Sequence, residues 1–117
     1  LSWPTQSRSI VTPFDSVKNK GISIGGKQGD PVMAAADGQV IYAGSGLRGY
    51  GNLAIVQHNK TYLTVYAHNS KLLVRENQNV KKGQTIAEMG NTDADRVKLH
   101  FEVRRNGQSV NPTSYLR

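Results

Sequence analysis

Cysteine is absent from the 117 residues, which excludes a disulfide framework and any thiolate site for a metal or for redox chemistry. This absence is compatible with a reducing or an oxidising compartment. No apolar run approaches the roughly 18 residues that a membrane-spanning helix needs. No secretory leader is recognisable, and the sequence begins with Leu1, so we expect the chain to be part of a longer protein.

Glycine is abundant, with 12 residues, whereas apolar residues make up only 37% of the chain. This composition favours short strands and tight turns over long helices, and the length suggests a single domain over residues 1–117. The net charge of +7 indicates anionic partners or surroundings. Because the basic residues are scattered and form no recognisable motif, we expect no nucleic-acid partner.

The segment 98–104 (KLHFEVR) alternates strictly between polar and apolar residues. Successive side chains of a strand point to opposite faces, so the segment predicts a half-buried antiparallel strand. Its apolar face comprises Leu99, Phe101 and Val103, and its polar face comprises Lys98, His100, Glu102 and Arg104. The polar face is either a solvated surface or part of a functional site.

The rest of the chain divides into further short strands and turns. Residues 29–44 predict two strands joined by a two-residue hairpin turn at Asp37-Gly38. Residues 53–58 and 62–68 predict a second hairpin, in which Tyr62, Thr64, Tyr66 and His68 share one face. The glycine-rich segment 45–52 predicts a surface loop.

Three other segments complete the predicted architecture. Residues 79–90 loosely echo 29–44, which suggests two similar β-units, and Asn106-Gly107 predicts another hairpin turn. Residues 1–18 predict an extended segment that packs on the body of the domain. We therefore predict an all-β fold with antiparallel strands in a two-sheet sandwich or a partly open barrel.

The residues alone argue against a hydrolytic zinc centre. Such centres hold the ion with three protein ligands and leave one position for water. In the triplet Lys98-Leu99-His100 one end is an ammonium group, which has no lone pair and repels a dication. The chain lacks a Gly-x-Ser-x-Gly turn for nucleophilic catalysis, and the paired carboxylates Asp93 and Asp95 lie in a polar loop typical of solvated surface.

The chain resembles the LytM, or lysostaphin-like, zinc endopeptidase family over nearly its whole length. The segments that carry the resemblance occur in the order found in the family: GDPVMAAADGQVIYAG, GYGNLAIVQHN, YLTVYAHN, VKKGQTIAEMGNT and LHFEVRRNGQSVNP. Active members cleave peptide cross-links in peptidoglycan. Their zinc ligands are the His and Asp of a His-x-x-x-Asp motif and the second His of a His-x-His motif. The histidine of a Tyr-x-His motif and the first His of His-x-His assist catalysis.

This sequence departs from that pattern at two metal ligands and at one catalytic histidine. Asn19 and Ser23 stand where the family has the first His and the Asp, and Lys98 replaces the first His of His-x-His. His100 and the His68 of Tyr66-Ala67-His68 are retained. The resemblance therefore implies a degenerate member that holds no cofactor and has no hydrolase activity, within the duplicated β-motif of the family.

More narrowly, the sequence resembles the degenerate LytM domains of the NlpD and EnvC type, and the NlpD type most. That resemblance implies an activator of a periplasmic cell-wall amidase of the AmiC kind during septum splitting, with peptidoglycan as a second candidate partner. It also implies an outer-membrane lipoprotein facing the periplasm, with its lipid anchor upstream. The former catalytic groove would dock the amidase through Asn19, Ser23, Arg48, Tyr50, Tyr66, His68, Lys98 and His100.

Two alternatives remain at this point. The domain could bind peptidoglycan passively through its positive charge, without an effect on any amidase. It could also be an active zinc endopeptidase that recruits metal through His68, His100 and a further carboxylate.

Overall fold

The computed structural model describes residues 1–117 and consists of ten β-strands followed by one short 3-10 helix, with all strand pairs antiparallel. No helix in it has the length and apolarity of a membrane span. The elements are β1 (Ile10–Thr12), β2 (Ile22–Gly25), β3 (Pro31–Met33), β4 (Gly38–Gly44), β5 (Asn52–Gln57), β6 (Tyr62–Leu72), β7 (Asn79–Val80), β8 (Thr85–Met89), β9 (Lys98–Arg105), β10 (Gln108–Val110) and the 3-10 helix Pro112–Ser114.

The long strand β6 connects the two parts of the sheet. Its first half lies between β9 and β5 in the order β1-β2-β9-β6-β5-β4-β7, and its second half pairs with β8, which also pairs with β3. The sheet does not close on itself. The predicted all-β, antiparallel and open architecture is therefore confirmed.

The apolar face of β9 forms the centre of the core, as its alternation predicts. Leu99, Phe101 and Val103 are each fully buried, together with Ile22 and Ile24 of the neighbouring strand β2. Burying one such side chain contributes roughly 1.5–3 kcal/mol. This packing fixes the opposite, polar face of β9 as a surface of the sheet.

The predicted hairpin at Asp37-Gly38 is wrong. Strand β3 pairs with β8, whereas β4 pairs with β5 and β7, and neither turn residue has the positive φ that a type I′ turn requires. Asp37 is instead held from two sides, because its Oδ1 accepts from the Lys82 N–H at 2.7 Å and its carbonyl contacts His58 Nδ1 at 2.8 Å. The chain crosses here from one part of the sheet to the other.

The other two predicted hairpins are confirmed. Strands β5 and β6 pair directly, and β9 pairs with β10 across Asn106 and Gly107. These two residues have φ values of 51° and 81°, as a type I′ turn requires.

The two ends of the chain lie side by side. The Leu1 ammonium donates to the Tyr115 carbonyl at 3.0 Å, and the Arg117 N–H donates to the Leu1 carbonyl at 3.0 Å. Between residues 1 and 18, Trp3 and Phe14 pack partly buried against the core, and β1 forms the edge of the sheet beside β2.

Candidate functional site

Three adjacent strands bring the retained and the replaced motif positions together. Ser23 of β2 is paired with His100 of β9, and His100 is paired on its other side with Ala67 of β6. Paired residues of neighbouring strands point to the same face. The site therefore lies on the face of the sheet opposite the Leu99 and Phe101 core.

The polar face of β9 carries a chain of charged contacts, which we call the ionic ladder and define as His100, Glu102 and Arg104. His100 Nε2 lies 2.7 Å from Glu102 Oε2. Arg104 Nε donates to Glu102 Oε1 at 2.8 Å, and Arg104 Nη2 forms an ion pair with the same oxygen at 2.7 Å. Glu102 has no solvent-exposed surface. Its carboxylate therefore depends on these two partners for its stability as an ion.

The ionic ladder fixes the charge of Glu102 and the orientation of His100. Burial by itself would raise the pKa of Glu102, but the hydrogen bonds and charges of His100 and Arg104 outweigh it and hold the pKa below its usual value. An ionised carboxylate only accepts hydrogen bonds, so Nε2 of His100 carries the proton. The other ring nitrogen, Nδ1, makes no hydrogen bond within the chain.

His68 joins this face through an unusual backbone conformation. Simple alternation places His68 on the face of Tyr66, but its φ of 69° reverses the direction of the side chain. Its ring centre lies 6.1 Å from that of His100, and its Nδ1 donates to the Thr92 carbonyl at 2.8 Å. The predicted common face of Tyr62, Thr64, Tyr66 and His68 is therefore wrong for His68.

His68 is held in its neutral form by its surroundings. Burial lowers the pKa of His68, and the nearby charges of His100 and Lys98 lower it further, whereas the Thr92 carbonyl opposes them. With Nδ1 donating to Thr92, the Nε2 of His68 presents a lone pair to the site.

Tyr66 does not belong to the groove, contrary to the expectation. It is fully buried, and its ring packs 5.4 Å from that of Phe101. Its hydroxyl accepts from the Ala35 N–H at 2.9 Å and lies 2.7 Å from Thr64 Oγ1, and burial raises the pKa of Tyr66 to about 12. Tyr66 is a core residue that organises the chain crossing after β3.

Replacing Tyr66 with phenylalanine tests this structural role. The change leaves the buried Ala35 N–H without an acceptor, which costs about 1–3 kcal/mol. We expect that loss in the free energy of unfolding measured with urea, while binding at the groove is unchanged. A Tyr66→Phe variant with full stability but weakened partner binding would contradict the assignment.

The segment 45–51 covers the ionic ladder through Tyr50. The Tyr50 hydroxyl lies 3.4 Å from Glu102 Oε2, its ring centre lies 6.2 Å from that of His100, and its carbonyl accepts from the His68 N–H at 2.8 Å. Gly51 has a φ of 63°, and a Cβ there would lie within 2.2 Å of Thr92 Oγ1. Arg48 lies exposed in the same segment.

Lys98 lies within the site, whereas Asn19 is turned away from it. The Lys98 ammonium has one carboxylate neighbour, Asp95 at 4.0 Å, whose side chain is 91% exposed, so this pair holds it weakly. The Asn19 amide donates to the Pro13 carbonyl at 2.9 Å, and its backbone pairs with Asp15. The structure thus brings together Ser23, Tyr50, His68, Lys98 and His100.

Sequence reasoning left two features out of the site. Alternation already placed Glu102 and Arg104 on the face of His100, but a buried carboxylate there could not be foreseen. Beside the ladder lies an apolar pocket of about 230 Å³, lined by seven hydrophobic residues and Arg104. Its lining comes from four separate segments, which the sequence alone does not bring together.

Residues 17–112 match the model of Peptidase family M23, which covers most of the chain and includes every motif position discussed above. The chain belongs to peptidase family M23. The expected LytM-type resemblance is therefore confirmed.

Several M23 relatives are similar to this chain. It is 58% identical over 117 residues to the "Lipoprotein NlpD/LppB homolog" of Pseudomonas aeruginosa, with 98% of this chain and 39% of that protein covered. It is 54% identical to the "Murein hydrolase activator NlpD" of Escherichia coli, with coverages of 97% and 30%. A zinc-containing peptidase from Vibrio cholerae superposes with a TM-score of 0.88 at 31% identity, over 93% of this chain and 37% of that one.

The chain thus spans between 30% and 39% of the length of these curated relatives. These relatives include NlpD proteins, as the resemblance of the sequence to the NlpD type predicts.

The residues present do not fit the zinc ion of active M23 peptidases. Of the three ligand positions only His100 retains a usual zinc donor, because Ser23 offers a hydroxyl and the Asn19 amide is bonded to Pro13. The ammonium of Lys98 stands two residues from His100 on the same face and repels a dication.

Proposed function

We propose that this chain is a non-catalytic activator of a peptidoglycan amidase, an N-acetylmuramoyl-L-alanine amidase of the AmiC type, that acts in septum splitting. Two observations support the proposal. The ligand set for zinc is replaced, and the E. coli relative is named a murein hydrolase activator. The names of other relatives as lipoproteins, one of them an outer-membrane lipoprotein, support a periplasmic location with an outer-membrane anchor.

The observation that carries the proposal is the chemistry that replaces the zinc site. Where an active enzyme has the first histidine of His-x-His, this domain presents the Lys98 ammonium, which lies on the same face of β9 as His100 and close enough to His68 for its charge to act on that ring. Tyrosine and arginine are enriched at protein contact surfaces, and Tyr50 and the exposed Arg48 supply both in the segment beside this site. The former active site is thus suited to contact a protein partner, and Ser23 and His100 form its floor.

Activation then follows from a difference in affinity. An amidase that exchanges between a closed and an open form is activated by a ligand that binds the open form better. A tenfold preference for the open form corresponds to about 1.4 kcal/mol, which a few contacts in the groove can supply.

Replacing Lys98 with glutamate tests this proposal. The substitution reverses the charge at the centre of the site and should abolish stimulation of the amidase, because like charges across an interface are strongly unfavourable. The measurement is release of dye from labelled cell walls by purified amidases, with and without the domain.

Lys60→Glu is the matched control, because Lys60 is exposed in the β5–β6 turn at the other end of β6. This variant should stimulate normally, and both variants should unfold at the same urea concentration as the wild type. Normal stimulation by the Lys98→Glu variant would refute docking at this site.

The net charge of +7 favours one second candidate, passive binding to the anionic cell wall. That function predicts salt-sensitive sedimentation with purified walls and no effect on any amidase. The same assay therefore separates the two functions.

A further inference from the structure

The apolar pocket next to the ionic ladder is accessible from solvent. Ile41 and Leu47 line it and are 44% and 45% exposed. Leu63 and Val65 form its floor together with neighbouring residues of β5. A partner that fills the pocket removes this apolar surface from water.

The pocket is continuous with the proposed docking site. Tyr50 lines the pocket and also approaches Glu102, and Arg104 lines the pocket and also forms the ionic ladder. One partner can therefore contact the site around Lys98 and the pocket at the same time.

The charges around the pocket select the chemistry of its partner. No acidic residue lines it, and Arg104 is its one charged lining residue. Arg48 follows Leu47 directly and forms no ion pair within the chain. A carboxylate next to an apolar side chain therefore complements this surface.

The size of the pocket favours a side chain over a small molecule. Sites for drug-sized ligands occupy roughly 300–1,000 Å³, whereas this pocket holds about 230 Å³. One large aliphatic side chain with part of its neighbour fills such a space.

We propose that this pocket receives an apolar side chain, of the size of leucine or methionine, from a segment of the amidase that carries an adjacent Asp or Glu. This inference rests on the proposed function and specifies where the amidase is recognised. The carboxylate pairs with Arg48, and the apolar side chain lies between Leu47, Ile41 and Leu63.

Leu47→Asp tests the pocket, with Leu73→Asp as the matched control. Both leucines are similarly exposed, at 45% and 42%, but Leu73 lines a different surface. We expect Leu47→Asp to weaken binding of the amidase to the domain at least tenfold in calorimetry, whereas Leu73→Asp and the conservative Leu47→Met bind as the wild type does. The Arg48→Glu variant should also bind the amidase more weakly than the wild type does, and its affinity should depend less on the salt concentration.

The outcomes distinguish this inference from the proposed function. If the wild-type domain stimulates an amidase and the Leu47→Asp variant stimulates it equally well, the pocket assignment alone is overturned. Failure of the wild-type domain to bind or stimulate any amidase would overturn both. A wild-type dimer that Leu47→Asp converts to a monomer, with amidase binding intact, would assign the pocket to a second copy of this chain and overturn the inference.

Discussion

Replacing Arg104 with methionine should destabilise the domain by about 3 kcal/mol, near the lower end of the range for breaking a buried ion pair. The methionine keeps most of the apolar stem but removes the Nε hydrogen bond and the Nη2 ion pair with Glu102. The carboxylate then remains buried with His100 as its main partner. The lower end of the range applies because the Arg104 side chain is 27% exposed. Urea unfolding at pH 7 measures the loss.

A companion double variant separates charge from packing. Arg104→Met combined with Glu102→Gln should recover part of the stability, because a neutral amide is less costly to bury than an unpaired carboxylate. Equal stability of the single and the double variant would show that Glu102 is not held as an ion.

Acid titration gives an independent check of the same ion. Because the folded pKa of Glu102 lies below its unfolded value of about 4.5, its contribution to stability is complete above that pH and is lost as the pH falls through the folded pKa. The Glu102→Gln variant should lack this part of the acid dependence.

Restoring the family's two missing metal ligands, together with the first histidine of its His-x-His motif, should convert the domain from one that does not bind zinc to one that binds a single ion. The variant combines Asn19→His, Ser23→Asp and Lys98→His, which returns two imidazoles and a carboxylate and removes the ammonium. Position 23 is already paired with His100, and Glu102 already orients the His100 ring as outer partners of zinc ligands do. Calorimetry with zinc and metal analysis after dialysis measure the gain.

The variant with Asn19→His and Ser23→Asp alone is the matched control, because it retains Lys98. Two unit charges 4 Å apart repel by roughly 4 kcal/mol at an effective dielectric of 20, so this variant should bind zinc at least tenfold more weakly than the triple variant. If the triple variant takes up no zinc, the presence of Asn19, Ser23 and Lys98 is not the reason that this domain lacks a zinc site. The turn at Pro13, which now holds Asn19, would then be the obstacle.

Strand β9 was predictable because its alternation leaves a single choice of buried face. Leu99, Phe101 and Val103 are all fully buried, so hydrophobic burial and the period of the strand agree. The two-residue turn at Asn106-Gly107 was predictable for a similar reason, since both residues tolerate positive φ.

The errors arise where a long-range contact overrides a local pattern. The local sequence Asp37-Gly38 predicts a hairpin turn. In the structure the Lys82 amide and the His58 ring contact Asp37, and the chain passes there from one part of the sheet to the other. His68 reads as an alternating strand residue, but its left-handed backbone turns the ring to the other face. Such a conformation is adopted by only a few per cent of residues other than glycine, so composition gives no warning.

Tyr66 and Glu102 show the limit of motif reasoning. Tyr66 belongs to a motif next to the site, yet it is buried because its hydroxyl meets the Ala35 amide. Glu102 belongs to no motif, yet it contacts His100, Arg104 and Tyr50. Sequence motifs identify positions along the chain, whereas the burial of Tyr66 and Glu102 depends on residues more than thirty positions away, Ala35 for Tyr66 and Tyr50 for Glu102.

The hydrogen-bonded chain ends determine how the domain can be attached to something else. They lie beside Tyr62, whose ring packs 5.6 Å from that of Tyr115, and five strand positions, roughly 17 Å, separate Tyr62 from the paired residues Ala67 and His100. A tether or fluorescent label fused at either end therefore emerges at a distance from the part of the docking site around His100. The same closeness makes the domain suited to circular permutation, with new ends opened in the Asn59–Thr61 turn.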